Sequence, residues 1–118
     1  MNKDVLYLVW TDTAGNKYKV AELSKENNEY SFRYILDELK QARQKGFEPF
    51  IAFPRIDAIY HNPNLFAVFA ARLPDEKRPE IGEILKTYNM ESYDEFELLK
   101  RSRGKLPTDN YEFMQQLL

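Results

Sequence analysis

Residues 5–10, VLYLVW, form a short apolar run rich in β-branched and aromatic residues, followed by the polar TDTAGNK. A run of that kind bounded by turn residues predicts a strand entering a turn, where Gly15 and Asn16 suit positive φ. Over residues 17–23 polar and apolar positions alternate, so that Tyr18 and Val20 share one face and Lys17 and Lys19 the other. KENN (25–28) predicts a second turn, and EYSFRY (29–34) alternates again with Tyr30, Phe32 and Tyr34 on one face. Turns this short cannot carry a parallel crossover, so the three strands are expected to form an antiparallel meander.

The period then changes. In residues 35–46, Ile35, Leu36, Leu39 and Ala42 recur at helical spacing, and Gly46 is placed to end the helix. Residues 47–63 carry three prolines and many aromatics and read as irregular, with one short strand expected around 50–53 and His61 in a turn. A helix over 65–72, capped by Asn62 or Asn64, is expected to bury a stripe of Leu65, Phe66, Phe69, Ala70 and Leu73. Pro74 stops it, and Pro79 suits the first turn of a third helix over 80–88. Ser92 and Glu95 have the spacing of a capping box for a fourth helix, 93–101, ending at Gly104. LPTDNYEF closes as a short strand or tail. Strands, then three to four short helices, then a terminal strand define an α+β fold in one layer-packed domain, 1–118.

Composition narrows the function. At 118 residues the chain is the size of one domain with a core of its own. Its aromatic share, 14%, is high, which fits either a compact core or an adhesive surface. The formal net charge is −2, too small to gather nucleic acid or anionic lipid over the whole surface. There is no cysteine, so disulfides, thiolate metal sites and cysteine nucleophiles are excluded. The N-terminal apolar run is too short for a signal peptide or membrane helix, and the expected location is the cytoplasm.

Candidate chemistry is sparse. The single histidine, His61, has no partner at a metal-ligand or triad spacing, and the four glycines are isolated, leaving no phosphate-cradling loop. No catalytic, metal-binding or cofactor residue is assigned, and the chain is not expected to be an enzyme. Asp75, Glu76, Glu80 and Glu83 could do acid–base work if buried, but they interleave with Lys77, Arg78 and Lys86 and read as a solvated face. Lys100, Arg101, Arg103 and Lys105 are the candidates for phosphate contact, although cations also suit a helix C-terminus. Trp10, at a strand end, is of the residue type most enriched in binding hot spots. Trp10, Arg72, Asp75, Glu76, Lys77 and Arg78 are the candidate partner-binding set.

Four segments taken together, YSFRY, FEPFIAFP, LFAVFAARLPDEKRPEIGEIL and FELLKRSRGKLPTDNYEF, resemble the N-terminal module of HipA-type proteins over about residues 5–113. The resemblance implies a protein-binding module of bacterial toxin–antitoxin systems. In HipA-type toxins it precedes a serine/threonine kinase domain; in split systems a similar short protein binds the separate kinase and acts as antitoxin. The implied partner is a cognate HipA-type kinase, and the implied activity is inhibition of it. RPEIGEIL and LPTDNYEF look closest to modules that precede HIRAN domains, which implies the alternative of a nucleic-acid-binding accessory using residues 100–105. The chain departs from the toxin modules in its long helix at 35–46 and in LPTDNYEF, which replaces a small, alanine-containing run.

Overall fold

The computed structural model describes residues 3–115. Three strands, β1 (Asp4–Thr11), β2 (Lys17–Glu26) and β3 (Glu29–Tyr34), form the expected meander. The first turn is closed by Asp12, whose carboxylate accepts from the backbone N–H groups of Ala14 and Asn16 at 2.9 and 2.8 Å and from the Tyr18 hydroxyl at 3.0 Å. The second is a two-residue hairpin in which Asn27 and Asn28 both have positive φ, the backbone that matches strand twist. The register of β1 on β2 shifts after Leu8, where Val20 and Ala21 bulge. Both point to the core and are fully buried, and the Val20 carbonyl accepts from Ile35 N–H at the entrance to the first helix.

That helix, α1 (Leu36–Gln44), lies within the predicted span and buries Leu39 and Ala42. The strand expected at 50–53 is absent, and a different one, β4 (Tyr60–Asn62), pairs with β3 and takes His61 out of the expected turn. The reason is the Tyr34 hydroxyl. It donates to the Phe53 carbonyl at 2.8 Å and accepts from Phe50 N–H at 2.9 Å, which curls residues 50–53 into a turn. Helix α2 (Ala67–Ala70) is a single turn with no side-chain cap; Asn62 instead donates to the Asn64 carbonyl at 2.6 Å. Helix α3 (Ile81–Thr87) begins two residues after Pro79. Helix α4 (Glu95–Ser102) is capped not by Ser92 but by Asp94, which accepts from Glu97 N–H at 3.1 Å. The chain closes with β5 (Tyr111–Met114) beside β1.

The result is a five-stranded antiparallel sheet in the order β4-β3-β2-β1-β5, a mixed α+β domain. Its inner face meets α1, α2 and α4 in one core centred on Phe32, which stacks on Phe53 with centroids 4.1 Å apart and lies 5.5 Å from Phe69. Phe69 in turn meets Phe113 of β5 edge-on at 5.0 Å. Most of the aromatic surplus is therefore core. A second small cluster, Leu85, Met90 and Leu98, holds α3 against α4.

Candidate protein-interaction site

The break after α2 carries the feature of interest. The chain turns out at Leu73-Pro74 and is pinned to the start of α4 by the Tyr93 hydroxyl, which donates to the Pro74 carbonyl at 2.7 Å. Asp75 then closes a turn by accepting from Lys77 N–H at 2.8 Å. Between this turn, the α4 N-terminus and the β2–β3 hairpin lies an open groove of about 720 Å³. Its floor is small and apolar, with Ala70, Leu73 and Pro74, and its walls bring together Asp75, Glu76, Asp94 and Glu95. The one cation in the lining is Lys25, held over the Tyr30 ring at 5.5 Å.

The two phenols of the groove register the convergence of these carboxylates. Burial, then Glu95 and Asp94, push the Tyr30 hydroxyl up to about 12. Burial, then Glu95, Asp75 and Glu76, raise that of Tyr93. A negative field over an apolar floor favours a cationic segment with an aliphatic stem, such as a lysine or arginine side chain of a protein partner.

The predicted partner-binding residues divide. Asp75, Glu76, Lys77 and Arg78 are exposed, Asp75 and Glu76 in the groove and Arg78 paired with Glu80 at 3.1 Å. Trp10 and Arg72 are not surface residues, which corrects the expectation for both. Trp10 is 9% exposed and packs against the rings of Phe47 and Tyr18 at 5.6 and 5.8 Å. The Arg72 guanidinium forks onto Asp109 through two 2.8 Å bonds and also donates to the Gly104 and Tyr111 carbonyls. It fastens α2 to the segment that leads into β5.

The basic run divides as well. Arg101 reaches back to the Tyr88 and Asn89 carbonyls at 2.7 and 2.9 Å, closing the end of α3, and shares Glu97 with Lys100. Arg103 lies 3.5 Å from Glu112, a carboxylate only 3% exposed that also pairs with Lys17 at 2.8 Å. Burial opposes ionisation of Glu112, but the bond to Lys17, with the fields of Lys105 and Arg103 behind it, outweighs burial and lowers its pKa. Lys100 and Arg101 thus share Glu97 and Arg103 lies by Glu112, while Lys100 and Arg103 line one shallow hollow with Phe113 and Met114.

The chain matches the model of the HipA N-terminal domain over residues 10–107, most of its length. It belongs to the HipA N-terminal domain family. No curated protein and no solved structure matches it. The segments that carry the resemblance map onto β3, the Phe50–Phe53 turn, α2 through α3, and α4 through β5 of this HipA N-terminal domain. Asp94 and Glu95, absent from the predicted partner-binding set, complete the groove. Their signal was a pair of adjacent acids at the start of α4, of which only Glu95 was read, as the capping-box partner of Ser92.

Two other polar groupings of the domain lack catalytic geometry. Glu80 and Glu83 are exposed, as a solvated face requires. On the open face of the sheet, Ser31 Oγ and Glu29 Oε1 approach the same nitrogen of His61, Nδ1, at 3.0 and 3.6 Å. A proton relay needs the acid and the hydroxyl on opposite ring nitrogens. Among the described residues no helix is long and apolar enough to cross a membrane, and no group of acidic or histidine side chains is arranged to hold a metal ion.

Proposed function

We propose that this HipA N-terminal domain is a non-enzymatic interaction module that binds and inhibits a HipA-type serine/threonine kinase in the bacterial cytoplasm, as an antitoxin. The acidic groove of Asp75, Glu76, Asp94 and Glu95 is the surface that carries this reading. It combines four carboxylates, against the single cation Lys25, with an apolar floor and a pinned edge, since Tyr93 ties the Pro74 turn to the start of α4 and Asp94 caps that helix. The complementary element on the kinase is a basic segment. Steering by the groove raises the association rate, and the contact weakens as salt screens it.

The test is size-exclusion chromatography of the domain mixed with a HipA-type kinase from the same organism, followed by titration of a Glu76→Lys/Glu95→Lys variant. The expected outcome is a complex whose affinity falls at least about tenfold in the variant. Absence of a complex at tens of micromolar overturns the function, and unchanged affinity of the variant overturns the groove. If instead the domain binds an oligonucleotide with steep salt dependence, and an Arg103→Ala/Lys105→Ala variant does not, the nucleic-acid alternative replaces both.

A further inference from the structure

A second surface lies at the other end of β3 from the acidic groove. There, α1 and the loop 54–59 enclose two adjoining hollows of about 420 and 380 Å³ that share Leu36 and Ile56. Leu39 forms part of the floor, and Ile59 lines the far hollow. Leu36 and Ile59 are 52% and 57% exposed, which water penalises unless something covers them. The near hollow is bordered by Lys40 and Arg43, with no acidic residue in its lining. Neither cation makes an ion pair among the described residues.

We propose that this groove docks an amphipathic helix of a partner protein, one that places apolar side chains in the two hollows and acidic residues against Lys40 and Arg43. Charge complementarity selects acidic residues at the near hollow only, because the far hollow is lined by Asp37 and Asp57 beside Arg33. The form of the occupant follows from the walls, which are a helix, a loop and only the last residues of β3. Beyond its pairing with β4, β3 offers only Arg33 and Tyr34 as an edge, too short to hold an added strand, whereas a helix satisfies its own backbone hydrogen bonds. The nine residues of α1 give a wall about 13 Å long, enough for anchors spaced i, i+4 and i+7. This surface shares no residue with the acidic groove, so the module can hold a basic segment at one end of its sheet and an acidic helix at the other.

The probe is a synthetic helical peptide of about 14 residues with leucines at i, i+4 and i+7 and glutamates on its flanks, beside a twin carrying lysines in place of the glutamates; the leucines span about 10.5 Å, within the wall of about 13 Å. Each is titrated into the isotope-labelled 118-residue domain and followed by amide chemical shifts. The glutamate peptide is expected to shift residues 36–44 and 54–59 with submillimolar affinity, and the lysine twin to bind at least about tenfold more weakly. A Leu36→Ser/Ile59→Ser variant, altered only at exposed positions, is expected to keep its spectrum elsewhere and lose the shifts. Equal binding of the two peptides, shifts confined to other regions, or no shifts at millimolar peptide overturns the proposal. Concentration-dependent self-association abolished by the same variant also overturns it, because the occupant is then a second copy of this chain. Loss of kinase binding in the acidic-groove variant leaves these outcomes unchanged, so the two readings fail separately.

Discussion

Replacing Arg72 by alanine removes a side chain that joins the end of α2 to the segment preceding β5. Its guanidinium makes four bonds, two of 2.8 Å to Asp109 and others of 2.6 and 3.0 Å to the Gly104 and Tyr111 carbonyls. The side chain is 9% exposed and that of Asp109 is 28% exposed. Breaking a buried pair by removing one partner costs about 3–5 kcal/mol, and access of water to Asp109 places this case near the lower figure. A loss of about 3 kcal/mol is a large share of the roughly 5–15 kcal/mol that holds a domain together. With a urea slope of about 2 kcal/mol/M, the unfolding midpoint falls by about 1.5 M. The assay is built in, because Trp10 is the only tryptophan and is packed inside. Arg72→Lys is expected to fall between, since an ammonium keeps the charge but not the fork. The pair also has an acid signature. The bonds from Arg72 hold the Asp109 carboxyl below the usual carboxylate range, against a burial effect of opposite sign. Its contribution is therefore fully present above the unfolded value of about 3.9 and is lost as pH falls through the lower folded value. Below pH of about 4 the parent should lose stability more steeply than Arg72→Ala. A midpoint shift under about 0.3 M, or acid limbs that run parallel, would refute the assignment of Arg72 as an internal clamp.

Gly104→Ala should be costly, because Gly104 has φ +56° and an added Cβ would lie 2.6 Å from Leu99 Cδ1, inside the core. A loss of about 2 kcal/mol is expected, read as a lower urea midpoint. Asp94→Ala removes the cap of α4 and should cost about 1 kcal/mol, a drop of about 4 °C in melting temperature. Asp94→Asn keeps a side-chain acceptor and should melt like the parent, so any loss of partner affinity in that variant reports the groove charge rather than the fold. Equal melting of the alanine and asparagine variants would show that the cap contributes nothing.

Much of the architecture was legible because strand and helix periods are local. The alternation through Tyr30, Phe32 and Tyr34 placed β3, and the helical spacing of Ile35, Leu36, Leu39 and Ala42 placed α1. The misplacements share a cause in contacts between distant segments. Ser92–Glu95 and Asp94–Glu97 both fit the spacing of a helix cap. The choice went to Asp94 as Tyr93 bonded to Pro74 and Phe96 and Leu99 entered the core. Residues 50–53 have the composition of a strand, but one tyrosine hydroxyl from β3 claims their backbone groups.

The candidate site divides along the same line. That residues 75–80 form a charged, solvated turn after a proline stop follows from the chain alone, because nothing apolar in that stretch gains by burial. Which charges stand beside it does not. Asp94 and Glu95 join Asp75 and Glu76 only after α4 has packed on the sheet. Arg72, as polar in sequence as Arg78, is drawn inside because Asp109 and two backbone carbonyls meet it there. Periodicity is set by each residue's neighbours along the chain, whereas the fate of a long polar side chain is set by the partners that folding delivers, and only the tertiary structure contains those.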